Sequence, residues 1–154
     1  MALLTALPLN GVYGTIIYTP SILLSILFIV WANDVGAYLT GVAFGRRKLF
    51  ERISPNKSWE GFFGGVACAI LVGGICGYAL APSPNSILIW GGAGAVIAIS
   101  GVFGDLIESM LKRSVGIKDS GNILPGHGGF LDRFDALILA APFVYTYFTV
   151  IFTY

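Results

Sequence analysis

The sequence predicts an all-α, polytopic membrane protein of about four transmembrane helices, with a glycine-rich loop on the cytoplasmic side. Three observations carry that expectation. Hydrophobic residues make up 56% of the chain and charged residues only 11%, against about 25% charged in a typical soluble domain. Mean hydropathy is +0.82. The apolar residues fall into long runs separated by polar or turn-forming stretches, and a membrane-spanning helix needs about 20 such residues. At 154 residues the chain has room for one domain, a single transmembrane unit over 1–154.

Residues 1–14 are apolar but broken by Pro8, Asn10, Gly11 and Gly14, which suits an interfacial lead-in or the remnant of an earlier helix. There is no basic region at the N-terminus, so it does not resemble a cleaved signal peptide. From Thr15 to Gly45 one charge occurs, Asp34, and this run is the first span. The charged loop RRKLFERISPNKSWEG follows, with Ser54-Pro55-Asn56 predicting a turn. A second span runs from Gly61 to Ala81, closed by the uncharged turn Pro82-Ser83-Pro84-Asn85. A third helix is predicted from Ile87 to Ser114; at about 42 Å it exceeds the roughly 30 Å hydrocarbon core, so its last turns should emerge. After the loop 116–129, a fourth helix runs from Phe130 to Tyr154.

Charge placement fixes the expected orientation. All nine Lys and Arg residues fall either in the loop after the first helix or between the third and fourth. Four spans put both regions on one side, and the positive-inside rule makes that side the cytoplasm. Residue 1 then lies outside, which suits a chain that has lost an odd number of N-terminal helices. The formal charge of +1 decides nothing by comparison. Cys68 and Cys76 lie in an apolar run, as small packing residues do. Gly41/Gly45, Gly61/Gly65 and Gly73/Gly77 fit G-x-x-x-G, a pattern that lets helices approach closely.

One stretch departs from this apolar background. Ser109–Asp135 holds four basic residues, three acidic ones, five glycines and the only histidine. Carboxylates can hold a divalent cation, Lys and Arg can neutralise phosphate, and glycines let backbone approach a ligand. Together they point to phosphate chemistry with a metal ion at a membrane. On the third helix Asp105, Glu108, Ser109 and Lys112 share one face by spacing. The bland alternative is an ion-paired helix end, but Asp105 lies about two turns deeper than Lys112, where an unpaired carboxylate is costly. Asp132 and Asp135 open the fourth helix, where acids also complement the helix dipole. Asp105 and Asp132 together could supply oxygen ligands to Mg²⁺, an ion that commonly takes one or two carboxylates plus substrate phosphates. Asp34, beside Asn33, is either a buried structural group or part of the site. Ser58 is open to two readings, a helix N-cap or a substrate contact.

These residues resemble a known signature. Ser109-Met110-Leu111-Lys112-Arg113, Lys118-Asp119, His127-Gly128-Gly129 and Asp132-Arg133-Phe134-Asp135 are similar to the pattern of phosphatidate cytidylyltransferases, the CDP-diacylglycerol synthases. Trp31-Ala32-Asn33-Asp34, Ser54 to Gly61 and Gly104-Asp105 look like further segments of that family in the same order. The resemblance covers most of the chain from about residue 28. It differs in one respect, since family members carry several more N-terminal helices.

The resemblance implies transfer of the cytidylyl group from CTP to phosphatidate, giving CDP-diacylglycerol and pyrophosphate, at the cytoplasmic face of a bacterial inner membrane. Metal ligands would be Asp105 and Asp132, then Asp135 and Asp34. Lys112, Arg113, Lys118 and Arg133 would bind phosphate. His127 would orient phosphate or the loop, and Asp119 would organise the loop or the site. Ser109, Lys57 and Ser58 would contact substrate. The cofactor expected is Mg²⁺, with a monovalent cation as an optional companion. The partners are CTP and bilayer phosphatidate, with no nucleic acid. Spare G-x-x-x-G faces suggest that activity needs a homodimer or further N-terminal helices. A CTP-dependent polyprenol or dolichol kinase would instead transfer the γ-phosphate. An ion-coupled transporter would place its acids at the midplane between repeats, whereas these charges gather on one face and no repeat is visible.

Overall fold

A computed structural model describes residues 20–50, 54–114, 116 and 131–153. Four helices, α1 (Pro20–Phe44), α2 (Trp59–Leu80), α3 (Pro84–Ser114) and α4 (Leu131–Thr153), account for nearly all of them. α1, α2 and α3 are each long and apolar enough to cross a membrane, and α4 carries a shorter apolar stretch, Ala136–Ile151. The chain is an all-α polytopic integral membrane protein, as its composition requires. Consecutive helices pack side by side, α1 on α2, α2 on α3 and α3 on α4. The C-terminal end of α1, the start of α2, the end of α3 and the start of α4 therefore lie at one end of the bundle. Described basic residues of both regions, Lys48 and Lys57 in the first and Lys112 and Arg113 in the second, sit at that end.

Local chemistry explains the boundaries. α1 ends at Phe44, and the Gly45 amide bonds back to the Gly41 carbonyl at 3.0 Å. Ser58 is the N-cap of α2, its Oγ accepting the Gly61 amide at 3.1 Å. α3 starts at Pro84, three residues before the expected Ile87. Proline has no amide hydrogen to leave unsatisfied in a first turn, and the Ser83 hydroxyl accepts the Ser86 amide at 3.1 Å, so the predicted turn is partly helix. α3 ends at Ser114, where the Gly116 amide bonds to the Arg113 carbonyl at 3.2 Å with φ 75°, a left-handed stop that suits glycine.

The connection between α1 and α2 corrects the sequence reading. Ser54-Pro55-Asn56 is not a turn but part of a strand, β2 (Ser54–Ser58), antiparallel to β1 (Lys48–Phe50). Lys48 pairs with Ser58 and Phe50 with Ser54, with an irregular register between. In a two-stranded ribbon every strand is an edge, so Pro55 costs no interior ladder bond. The Trp59 amide bonds to the Arg47 carbonyl at 3.0 Å, and both Glu60 carboxylate oxygens accept the Arg47 amide at 3.3 Å. These bonds tie the hairpin to the start of α2.

The glycine pairs are used inside the chain, which corrects the expectation that their faces are spare. A Cβ on Gly65 would lie 2.8 Å from Asn33 Oδ1, and one on Gly61 2.8 Å from the Ala37 carbonyl. Gly73 abuts the Trp90 carbonyl, and a Cβ on Gly77 would lie 2.5 Å from the Ser86 carbonyl. Gly61/Gly65 thus seat α2 on α1, and Gly73/Gly77 seat it on α3. The apolar core lies toward the opposite end from the hairpin: Ile22, Ile26 and Ile29 of α1, Ala69 of α2, Trp90, Ala93 and Ile97 of α3, and Val144 and Phe148 of α4. Trp90 and Phe148 rings meet at 5.2 Å. The Tyr147 hydroxyl donates to the Ile89 carbonyl at 2.9 Å and pins α4 to α3. Cys68 and Cys76 are free thiols, and Cys68 packs against Gly36.

Candidate functional site

A cavity of about 1100 Å³ opens between α1, the hairpin, α3 and the beginning of α4. Trp31, Asp34 and Tyr38 line it from α1, Lys48, Asn56, Lys57 and Ser58 from the hairpin, Gly101 and Asp105 from α3, and Ala136 and Leu137 from α4. Its walls mix apolar side chains with two carboxylates and two lysines, a mainly apolar pocket with a few converging polar groups.

The helices set the depth of the two carboxylates. Asp34 lies ten residues before the end of α1 and Asp105 nine before the end of α3, so both are about 14–15 Å inward from the charged end. The neighbouring Asn33 is buried against Gly65 of α2, which fixes the rotation of α1 and leaves Asp34 on the cavity side. On α3, Gly101 precedes Asp105 by one turn and leaves space above it. A Cβ there would meet nothing closer than Ala136, at 3.6 Å.

Among the described residues, two ion pairs stand out. Lys57 Nζ of β2 contacts Asp105 Oδ2 of α3, joining the hairpin to the third helix inside the cavity. Lys112 Nζ lies 3.5 Å from Glu108 Oε2 on its own helix. The bland reading of the α3 face, an ion-paired helix end, is therefore present for Glu108 and Lys112. It does not describe Asp105, whose partner comes from another element. Glu108 is 6% exposed, and its burial was not anticipated from spacing alone.

Of the residues singled out from sequence, the structure brings together Asp34, Asp105, Lys57 and Ser58. Ser109, Lys112 and Arg113 continue α3 beyond Asp105, outside the described lining of the cavity. Asp132, Arg133 and Asp135 lie in the first two turns of α4, where the backbone alone is described. Lys118, Asp119 and His127 fall outside the described residues. Sequence reasoning missed Lys48 and Asn56 as lining residues. They stood within the same polar loop, and the signal was available: a polar Asn beside Pro in a segment that also holds Lys57. The capping role of Ser58 is compatible with substrate contact, because the cap uses a lone pair on Oγ and leaves the hydroxyl proton to donate.

Carboxylate oxygens are the donor type that Mg²⁺ prefers, and two line the one cavity. Among the described residues, no three His, Cys, Asp or Glu side chains converge. A divalent ion held here would draw its remaining ligands from the start of α4 or from substrate phosphate.

Comparison with known proteins identifies the family. The model of the cytidylyltransferase family matches residues 10–151. The chain is 46% identical over 121 residues to a phosphatidate cytidylyltransferase of Pseudomonas aeruginosa, an alignment covering 79% of this chain and 45% of that one. It is 47% identical over 118 residues to the enzyme of that name from Bacillus subtilis, covering 76% and 43%. With the one from Haemophilus influenzae it is 47% identical over 139 residues, covering 84% and 46%. The chain thus spans a little under half the length of the curated relatives it matches.

Proposed function

This chain belongs to the cytidylyltransferase family, and from that premise we propose that it catalyses cytidylyl transfer from CTP to phosphatidate. The products are CDP-diacylglycerol and pyrophosphate. The observation that carries the proposal is the meeting of Asp34, Asp105, Lys57 and Ser58 in one cavity of a membrane-embedded bundle. The similarity to relatives named for this activity supports the choice of substrates.

A phosphatidate oxygen attacks the α-phosphorus of CTP. The new P–O bond forms as the bond from that phosphorus to the bridging oxygen breaks, and pyrophosphate departs with the electron pair. The attacking phosphate is already ionised, so no general base is required. What the chain must supply is position and neutralisation, because two polyanions repel. Lys57 and Lys48 bring positive charge to the cavity wall, and Ser58 can donate to a phosphate oxygen. Arg113, Lys118 and Arg133 add phosphate-binding charge, with Lys112 shared with Glu108. The apolar side chains of Leu27, Val30, Val42 and Phe62 along the same cavity suit the glycerolipid portion.

Asp34 and Asp105, with Asp132 and Asp135 from α4, are the carboxylates that would hold Mg²⁺. When bound, this ion would screen the phosphate charges and polarise the reacting phosphoryl oxygens. Ser109 and His127 remain proposed contacts to substrate or loop, and Asp119 an organiser of the loop. The charged end of the bundle, and with it the site, faces the cytoplasm across a bacterial inner membrane. A homodimer, or helices supplied N-terminal to this chain, would complete the active assembly.

The test is direct. Detergent-solubilised protein, alone and fused to the N-terminal helices of a relative, is incubated with CTP, phosphatidate and Mg²⁺. CDP-diacylglycerol should form, faster in the fusion. Failure of the fusion to form it from either substrate pool refutes the proposal.

A further inference from the structure

We propose that Lys57 is a resident counter-ion of the metal site. Its ammonium and a divalent cation are alternative partners of Asp105, and binding of the cation releases Lys57 to substrate phosphate. The inference rests on the reading of Asp105 as a metal ligand.

The geometry of the pair is the starting point. Lys57 Nζ sits on Asp105 Oδ2 across the junction between β2 and α3, and both side chains line the same cavity. Their side chains are 28% and 38% exposed, so ions and polyphosphate can reach them. The other lysine pair behaves differently. Lys112 is bound to Glu108 one turn away on its own helix, with Glu108 almost fully buried. That pair is local, whereas Lys57 is carried to Asp105 by the fold.

Exchange follows from the chemistry of the two cations. An ammonium and Mg²⁺ compete for the same carboxylate lone pairs, and two cations within about 4 Å of each other in a partly apolar cavity repel strongly. Lysine is a compact charge on a flexible four-carbon stem, able to swing while its backbone stays fixed. The backbone at the base of the hairpin is held by the Arg47 bonds to Trp59 and Glu60 and by the pairing of Lys48 with Ser58, the residue after Lys57. The ammonium therefore has freedom that its Cα lacks. Once displaced from Asp105 it remains in the cavity, where the triphosphate offers it oxygen acceptors. Cation and nucleotide binding are then positively coupled, each strengthening the other. The carboxylate also never stands unpaired in the bilayer, a costly state for an intramembrane charge.

The test reads metal binding without turnover. Mn²⁺, a paramagnetic probe of the same oxygen-ligand preference, is titrated into the detergent-solubilised chain without nucleotide and followed by electron paramagnetic resonance. Exchange predicts that Lys57→Met binds Mn²⁺ about tenfold more tightly than wild type, since a competing unit charge is removed. Lys57→Arg should bind it more weakly, because a guanidinium holds a carboxylate bidentately. A purely structural lysine gives a different order, with Arg close to wild type and Met weakest. Equal or weaker binding by Lys57→Met, with binding lost in Asp105→Asn, overturns the exchange and leaves Asp105 as a ligand. Unchanged binding in Asp105→Asn overturns both. A second measurement needs no variant: amine acylation of Lys57 in the wild-type chain, read by mass spectrometry against Lys48. It should rise severalfold at saturating Mn²⁺ and fall again when CTP is added. Labelling indifferent to Mn²⁺ refutes the exchange.

Discussion

At one end of the bundle Ile22, Ile26, Ile29, Trp90, Ile97, Val144 and Phe148 close around Ala69 and Ala93. At the other, α1 and α3 present Asp34 and Asp105 to a cavity of about 1100 Å³. The same helices build both regions. In the first, glycines bring backbones together until a carbonyl of one helix touches the Cα of the next, as at Gly73 with Trp90 and Gly94 with Ala69. In the second, Gly61 and Gly65 still hold α2 on α1, but Gly101 of α3 comes no closer than ordinary van der Waals distance to Ala136, and α1 and α3 face one cavity. Lipid tails are as apolar as leucine, so packing, rather than escape from water, holds membrane helices together. The tight region supplies that packing, and the open one can then present two carboxylates to one cavity at a matched depth.

Variants can break this contrast, and the largest effect should come from the open end. Asp105→Asn keeps the shape and removes the charge; turnover should fall by about 10²–10³-fold or more, with the protein still folded in detergent. Asp34→Asn and Asp132→Asn should follow in the same direction. Near-normal turnover at ordinary Mg²⁺ would remove that residue from the metal site. At the tight end Phe148→Ala should cost about 3 kcal/mol, because a fully buried ring leaves a cavity beside Trp90. Thermal or denaturant unfolding in detergent measures it.

Two glycines sharpen the comparison with identical chemistry. Gly73→Ala drives a methyl into the Trp90 carbonyl and should destabilise by about 1–3 kcal/mol. Gly91→Ala meets nothing closer than the Ile70 carbonyl at 3.6 Å and should change stability by less than about 0.5 kcal/mol. Equal effects would show that close approach is not what holds α2 to α3. A comparably small effect is expected of Tyr147→Phe. It deletes the bond to the Ile89 carbonyl, and interhelical bonds in membranes average about 0.6 kcal/mol.

Much of this architecture was legible in the sequence, because a bilayer leaves few choices to a long apolar run. The four helices were expected to within a few residues, and α3 differed most at its start, where Pro84 opens the helix instead of preceding it. The hairpin was not legible. Lys-Leu-Phe and Ser-Pro-Asn-Lys-Ser are too short and too polar to announce strands, and their pairing is set by the helices on either side. The glycine pairs were recognised as close-packing surfaces, but which helix each one meets depends on tertiary arrangement. At the site, Asp34 and Asp105 stood out as charges within apolar runs. That Lys57 reaches Asp105 was hidden, since nothing local links residues on a hairpin and a helix two elements later. The burial of Glu108 was hidden for the same reason.

The account stands most directly on which phosphorus of CTP is attacked. CTP labelled separately at the α- and γ-phosphorus is supplied with phosphatidate and Mg²⁺ to the protein carrying the N-terminal helices of a relative, and lipid and aqueous products are separated. Cytidylyl transfer predicts α-label in the lipid and γ-label in pyrophosphate, with both lost in Asp105→Asn. Recovery of γ-label in the lipid, with CDP released, would contradict it and identify a kinase.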